Sequence, residues 1–254
     1  MKIERLLPWR NMWWWPRWKV PSFLMLHSVG DVVTDPCCAN NTVRPAELRA
    51  LVSALRSDGY VFRTFTDACE NGDGRTACLT FDDGFIDNYT VLFPVLSEMG
   101  VPATCFVTNR GDPSFPRERW SAEEPVPEGA SFLTAGMIRE MDASGLVEIG
   151  GHTAGHTTLT KVPLAAARAE IEDNKRWLES VLGHGISSFA YPRGGENDEV
   201  VALVRAAGYR FAAAMVKKMR PVQADPYRVH RQIIPRGMAT WKSVLLATRG
   251  RWKI

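Results

Sequence analysis

Ala77-Cys78-Leu79-Thr80-Phe81-Asp82-Asp83-Gly84 is the stretch from which the fold can be read. A short apolar run bounded by a turn reads as a strand buried on both faces, the kind found inside parallel sheets. It ends in two adjacent carboxylates, followed by a glycine that lets the chain turn sharply. Adjacent strand residues point to opposite faces, so Asp82 and Asp83 need not share a role. One can bind a metal while the other accepts a proton. An Asp-Asp-Gly turn that merely caps the next helix would look the same at this range.

Working outward, the same unit recurs. Upstream, Phe23 to Leu26 reads as a buried strand ending at His27, Ala46 to Ser57 as a helix, and Tyr60 to Phe65 as a strand. Downstream, Asn88 to Met99 reads as a helix closed by Gly100, and Ala103 to Val107 as a strand. Residues 109–131 hold four prolines and little periodicity, which predicts a surface insertion rather than a linker. Thr134 is placed to cap a helix to Ala143. Beyond it, Val147 to Ile149 reads as a strand, Leu164 to Leu182 as a long helix and Ser188 to Tyr191 as a strand. Asp198 to Ala207 is helical and Phe211 to Ala214 a strand. Strand and helix in steady succession predict a parallel sheet with helices outside it, as one domain over 21–254. In such folds chemistry gathers at the carboxyl ends of the strands. His27, Asp82, Asp83, His152 and the Tyr191-Pro192-Arg193 turn all stand there.

His152-Thr153-Ala154-Gly155-His156 puts two imidazoles four residues apart. On a helical turn they would face one way and could chelate a metal. The flanking Gly150, Gly151 and Gly155 point instead to a tight loop. Two histidines and one carboxylate leave a position open for water, which is the pattern of a catalytic rather than a structural zinc. Other chemistries lack a motif: there is no GxGxxG, no phosphate-binding Walker loop and no GxSxG elbow. His184, between two glycines after a helix, reads as part of an exposed turn.

The five cysteines, at 37, 38, 69, 78 and 105, form no CxxC pair and suggest a reducing compartment. Residues 1–20 carry a charge of +4 and residues 241–254 another +4, leaving the body at −5. Five of the nine tryptophans fall in Trp9–Trp18, among arginines. Indoles mixed with cations favour a bilayer interface, so segment 1–20 is a candidate for peripheral contact with an anionic membrane. Covering one end of a barrel is the alternative. The expected location is cytoplasmic, at the inner membrane surface. Both basic ends suit an anionic surface, either lipid or nucleic acid, but beyond the N-terminus basic residues are not interleaved with aromatics and no nucleic-acid partner is expected.

Together these motifs resemble the polysaccharide deacetylase domain, the nodulation-factor deacetylase homology domain of carbohydrate esterase family 4. The resemblance runs from about Phe23 to about Pro235. Leu79 to Gly84, continued through Asn88, Pro94, Gly100, Pro102, Ala103, Thr104 and Phe106, matches the first family motif. His152 to His156 matches the second, and Phe189-Ala190-Tyr191-Pro192-Arg193-Gly194 a subgroup form of the third. The resemblance implies a distorted (β/α)7-type barrel and a divalent metal, zinc foremost, held by Asp83, His152 and His156. It implies Asp82 as general base, an N-acylated sugar as substrate, and, by position, the Arg193 N–H as an oxyanion donor. Two features depart from the common pattern. Phe189 stands where many members have the arginine that orients the base, and no C-terminal leucine-histidine motif offers a general acid. His27 resembles the N-terminal acid of a subgroup with permuted strand order, and Arg231 a late arginine of that subgroup. His230 competes with His27 for the acid role. A non-sugar amidohydrolase and a catalytically silent glycan-binding protein are the alternative functions.

Overall fold

The computed structural model describes residues 20–31, 42–123, 131–215 and 220–249. The tryptophan-rich segment, Cys37 and Cys38 lie outside the described residues, as do 124–130 of the insertion.

Strands β1 (Ser22–Leu26), β2 (Ser28–Val29) and β3 (Thr42–Val43) open the fold, followed by helix α1 (Pro45–Ser57). Then come β4 (Val61–Phe62), α2 (Phe65–Asn71) and β5 (Thr76–Phe81). A π-helical turn at Asn88–Leu92 runs into α3 (Phe93–Met99), and β6 is Ala103–Val107. The later units are α4 (Ala135–Ala143), β7 (Val147–Gly151), α5 (Leu164–Leu182), β8 (Ser188–Ala190), α6 (Asp198–Ala206) and β9 (Phe211–Ala214). The chain closes on β10 (Val229–His230), β11 (Gln232–Ile233) and α7 (Thr240–Arg249).

The main sheet runs β10-β9-β8-β7-β6-β5-β1-β11, with β4 also paired to β5, and its pairings are parallel. Its two outermost strands are separated in sequence by Arg231 alone. Val229 and His230 pair with Ala213 and Ala214, while Gln232 and Ile233 pair with Leu24 and Met25. One five-residue segment therefore holds both edges of the sheet and brings it close to a full barrel. A barrel closed this way leaves little free edge for another chain to add to. The fold is the single-domain α/β barrel that the sequence implied.

β1, β5 and β6 are buried along their whole length, as their unbroken apolar runs require. The helices bury one stripe each: Leu48, Leu51, Val52 and Leu55 of α1 face the sheet. One expectation gives way. Tyr60 to Phe65 is not a continuous strand: only Val61–Phe62 pairs, and Phe65 begins α2. The first free N–H groups of α2 are satisfied from the sheet: Phe65 N–H donates to Thr104 Oγ1 at 2.7 Å and Thr66 N–H to Glu148 Oε2 at 2.9 Å. Tertiary partners thus favour a helix in a segment whose composition suits a strand. Among the described residues, no helix is long and apolar enough to cross a membrane.

Candidate active site

The carboxyl ends of β1, β5, β7 and β8 all open at one mouth, which gathers His27, Asp82, Asp83, His152, His156 and Arg193. The turn after β5 sends Asp82 and Asp83 to different partners, as strand alternation anticipates. Asp82 is buried and faces Arg231, with Nη1 to Oδ1 at 2.6 Å and Nη2 to Oδ2 at 2.7 Å. This is the bidentate pairing that the planar guanidinium favours. The same guanidinium donates to Thr80 Oγ1 at 3.0 Å and lies over the Phe106 ring. Burial works to raise the Asp82 pKa. The charges of Arg231, His152 and His27 outweigh it and hold the carboxyl below its usual range.

Asp83 meets the two histidines. Its Oδ1 lies 3.4 Å from His152 Nε2 and 3.0 Å from His156 Nε2. The three side chains are buried, and one ligand atom from each lies within 4.8 Å of the others. Oδ1 is buried and accepts no well-aligned hydrogen bond, although both ring nitrogens are so near. Lone-pair atoms converging without bonding one another are what a cation would draw together, so the donor set fits a divalent metal. His152 is fixed for this: its Nδ1 is 2.8 Å from the Ala190 carbonyl oxygen. That contact makes Nδ1 the protonated nitrogen and leaves the Nε2 lone pair facing the site. Burial lowers the His152 pKa against the pull of the neighbouring carboxylates, favouring the neutral ring a metal requires.

The histidine loop is a tight loop and not a helix, as its glycines indicate. Gly151 and Gly155 are required by close approach. A Cβ on Gly151 would lie 2.2 Å from the Tyr209 hydroxyl, and one on Gly155 2.0 Å from the Arg119 carbonyl oxygen. Helix α5 holds the loop in place. Asn174 Oδ1 accepts from His152 N–H at 3.0 Å, and Glu170 Oε2 accepts from Gly155 N–H at 2.7 Å. These two supporting residues were not singled out from sequence. Polar groups on the buried stripe of an otherwise amphipathic helix were the signal. Four non-glycine residues among those described have positive φ: Asp83, Thr153, His156 and Arg193. All four lie in the loops of this mouth, where such strain tends to collect.

His27 follows β1, half-buried, and its carbonyl accepts from Asn88 Nδ2 at 2.9 Å. The residue before it, Leu26, pairs with Phe81, so His27 stands beside Asp82 at the end of the neighbouring strand. His230 ends β10, beside Arg231. Arg193 lies in the turn after β8 with φ 55°, its side chain tied to Glu123 of the insertion at 2.6 Å. Glu123 also accepts from Thr158 at 2.5 Å and pairs with Lys161 at 2.9 Å, fastening the insertion across the mouth. His184 is exposed, remote from these residues in the fold, and paired with Asp142.

Known proteins resemble this chain along much of its length. A Bacillus subtilis protein named for polysaccharide deacetylation, YxkH, is 24% identical over 87% of this chain and 73% of its own length. The poly-β-1,6-N-acetyl-D-glucosamine N-deacetylase of Staphylococcus epidermidis is 24% identical over 77% of this chain and 68% of its own. The Streptococcus pyogenes deacetylase PplD, solved with acetate, superposes with a TM-score of 0.74 at 24% identity, covering 92% of this chain and 99% of that one. The polysaccharide deacetylase family profile matches residues 70–212, more than half of the chain and including all three motif regions. The chain belongs to the polysaccharide deacetylase family.

Proposed function

We propose that this protein removes the N-acetyl group from an amino sugar of a surface glycan or its precursor, with a divalent metal held by Asp83, His152 and His156. The observation that carries the reading is the division of labour between neighbouring aspartates. Both oxygens of Asp82 are locked by Arg231, while Asp83 faces two imidazoles. Zinc suits two nitrogens and one carboxylate oxygen with a position left open. Bound there, the cation supplies Lewis acidity, which makes an acyl carbonyl more electrophilic and a water more acidic.

The chain's own groups do the rest. Asp82 takes the proton of the attacking water, and Arg231 keeps its carboxylate oriented and charged for that task. Arg193, left-handed in the turn after β8, is assigned the backbone N–H that meets the developing oxyanion. His27 gives a proton to the departing sugar nitrogen, since an amine leaves poorly unless protonated. His27 is preferred to His230 because it follows Leu26, which pairs with Phe81 just before Asp82, whereas His230 neighbours the inward-turned Arg231 and so faces the other way along its strand.

The experiment is direct. Metal-loaded protein is given a panel of N-acetylated hexosamine oligomers, nucleotide-linked and lipid-linked N-acetylhexosamines, and acetylated amines without a sugar. Acetate release from a sugar-bearing member is the expected result. Release from the sugar-free amides alone would point to an amidohydrolase on the same barrel. The N-terminal segment is proposed to dock on anionic bilayers, on the strength of its tryptophans and cations. Deleting residues 1–19 should then lower co-sedimentation with acidic liposomes in a salt-dependent way, because screening weakens the attraction. Equal sedimentation with and without the segment would remove that role.

A further inference from the structure

Three consecutive residues after β6, Thr108, Asn109 and Arg110, are buried although they lead into the insertion. They lie between the Asp83 turn and the histidine loop and contact both. Thr108 Oγ1 donates to the Asp83 carbonyl oxygen at 3.2 Å and accepts from Arg110 Nε at 3.2 Å. Arg110 Nη2 reaches the Asp83 carboxylate at 3.7 Å, a charge contact rather than a hydrogen bond. Asp83 is therefore held at its main chain by the Thr108 hydroxyl and met at its carboxylate by the guanidinium that donates to that hydroxyl. Its φ of 76° gives a reason for that grip, because the left-handed conformation is unfavourable for an aspartate without support. Asn109 faces the other way. Its N–H donates to the Ala154 carbonyl at 3.0 Å, and its Oδ1 accepts from Asn174, which in turn accepts from His152 N–H.

We infer that Thr108 and Arg110 are positioning residues for the metal ligand Asp83, braced through Asn109 against the loop that carries the two histidine ligands. The inference rests on the metal reading of the site. Arg110 is a poor candidate for touching substrate: its side chain is 4% exposed and packs 4.4 Å from the Phe132 ring, which stacks on Phe85. Its charge works against a cation in the site, so simple electrostatics would have it weaken metal binding. What offsets that repulsion is geometry. The fork donates to the Thr108 hydroxyl from Nε while it holds Nη2 at charge-contact distance from the Asp83 carboxylate, two positions that a lysine head cannot fill from one nitrogen.

This gives a test in which charge and positioning separate. Thr108→Val and Arg110→Lys leave the net charge unchanged and break the brace. Full-length protein stripped with chelator is titrated with Co²⁺, read by the visible absorption of the bound ion, with thermal melting as a check on folding. Both variants should bind Co²⁺ about tenfold or more weakly, the usual effect of losing a supporting hydrogen bond at a metal site, with altered absorption bands. Wild-type affinity and bands in both would overturn the inference. Should Thr108→Val fail to fold, Arg110→Lys decides alone. Wild-type protein that takes Co²⁺ but leaves every acetylated sugar intact would overturn the proposed function and leave this inference standing. Wild-type protein that takes no Co²⁺ would overturn the metal reading itself.

Discussion

Asp82 and Asp83 are adjacent in sequence and chemically identical as free amino acids, yet the fold gives them different surroundings. The difference comes from what each faces. A guanidinium that satisfies both oxygens of Asp82 leaves it a charged acceptor, while imidazoles leave an oxygen of Asp83 directed at the site. Asp82→Asn should therefore keep the metal and lose at least about 10²-fold in turnover, the usual scale for removing a general base. Metal content and acetate release on the same sample check both halves, and near-normal turnover would move the base elsewhere. His27→Ala should also keep the metal. Its loss should fall more heavily on a sugar amide than on an activated ester, whose leaving group needs no proton. Equal losses on the two substrates would take the acid role from His27. The two aspartates and two histidines could be found from sequence because each follows a strand and sits in a recognisable motif. Arg231 was found only by resemblance, since its partner lies 149 residues away. Asn174, Glu170 and Thr108 were not found at all. They act through backbone groups of other segments, and no local pattern records that.

At the scale of elements, the apolar runs and helical stripes located most strands and helices to within a residue or two. β6, α5 and β9 start and stop where periodicity and glycines place them. Two-residue strands such as β2, β3, β10 and β11 left no readable run, because their pairing depends on distant partners rather than on composition. Connections between helices are also chosen in three dimensions. Past the left-handed Gly183 that ends α5, exposed His184 places Nε2 2.9 Å from Asp142 near the end of α4. That hydrogen bond, with a second to the Gly185 carbonyl, raises the His184 pKa. A raised folded-state pKa means that the contribution to stability is fully present below the ordinary imidazole value. It is lost as pH rises through the raised one. The melting-temperature gap between wild type and His184→Gln should accordingly be largest in mild acid and close in alkali. A gap that widened with pH would mean that the imidazolium does not pair with Asp142 in solution. The effect should be small, because the pair is open to solvent.

Over the whole molecule, closing the barrel and locking Asp82, the proposed base, are one event. Segment 229–233 pairs with β9 by its first half and with β1 by its second, and Arg231, at the changeover, turns its guanidinium inward to Asp82. A buried guanidinium left without its carboxylate, or the reverse, costs about 3–5 kcal/mol, so this pair resists being pulled apart. The rest of the seam is slight: β10 and β11 pair over two residues each, against five for β6 with β7. Local opening should follow this difference, since short, weakly packed elements open with less free energy than central ones. Hydrogen exchange is the measurement. Amides of 229–234 should exchange faster than those of β6 and β7 in the native protein. Arg231→Met should speed exchange at the seam and in its partners β1 and β9, while leaving β6 and β7 close to their original protection. It should also lower the melting temperature and abolish turnover, because Asp82 would be left buried without its partner. Uniform acceleration across the sheet would mean that the barrel opens only as a unit. Unchanged exchange at the seam would mean that Arg231 serves Asp82 alone and that closure comes from the helices packed outside.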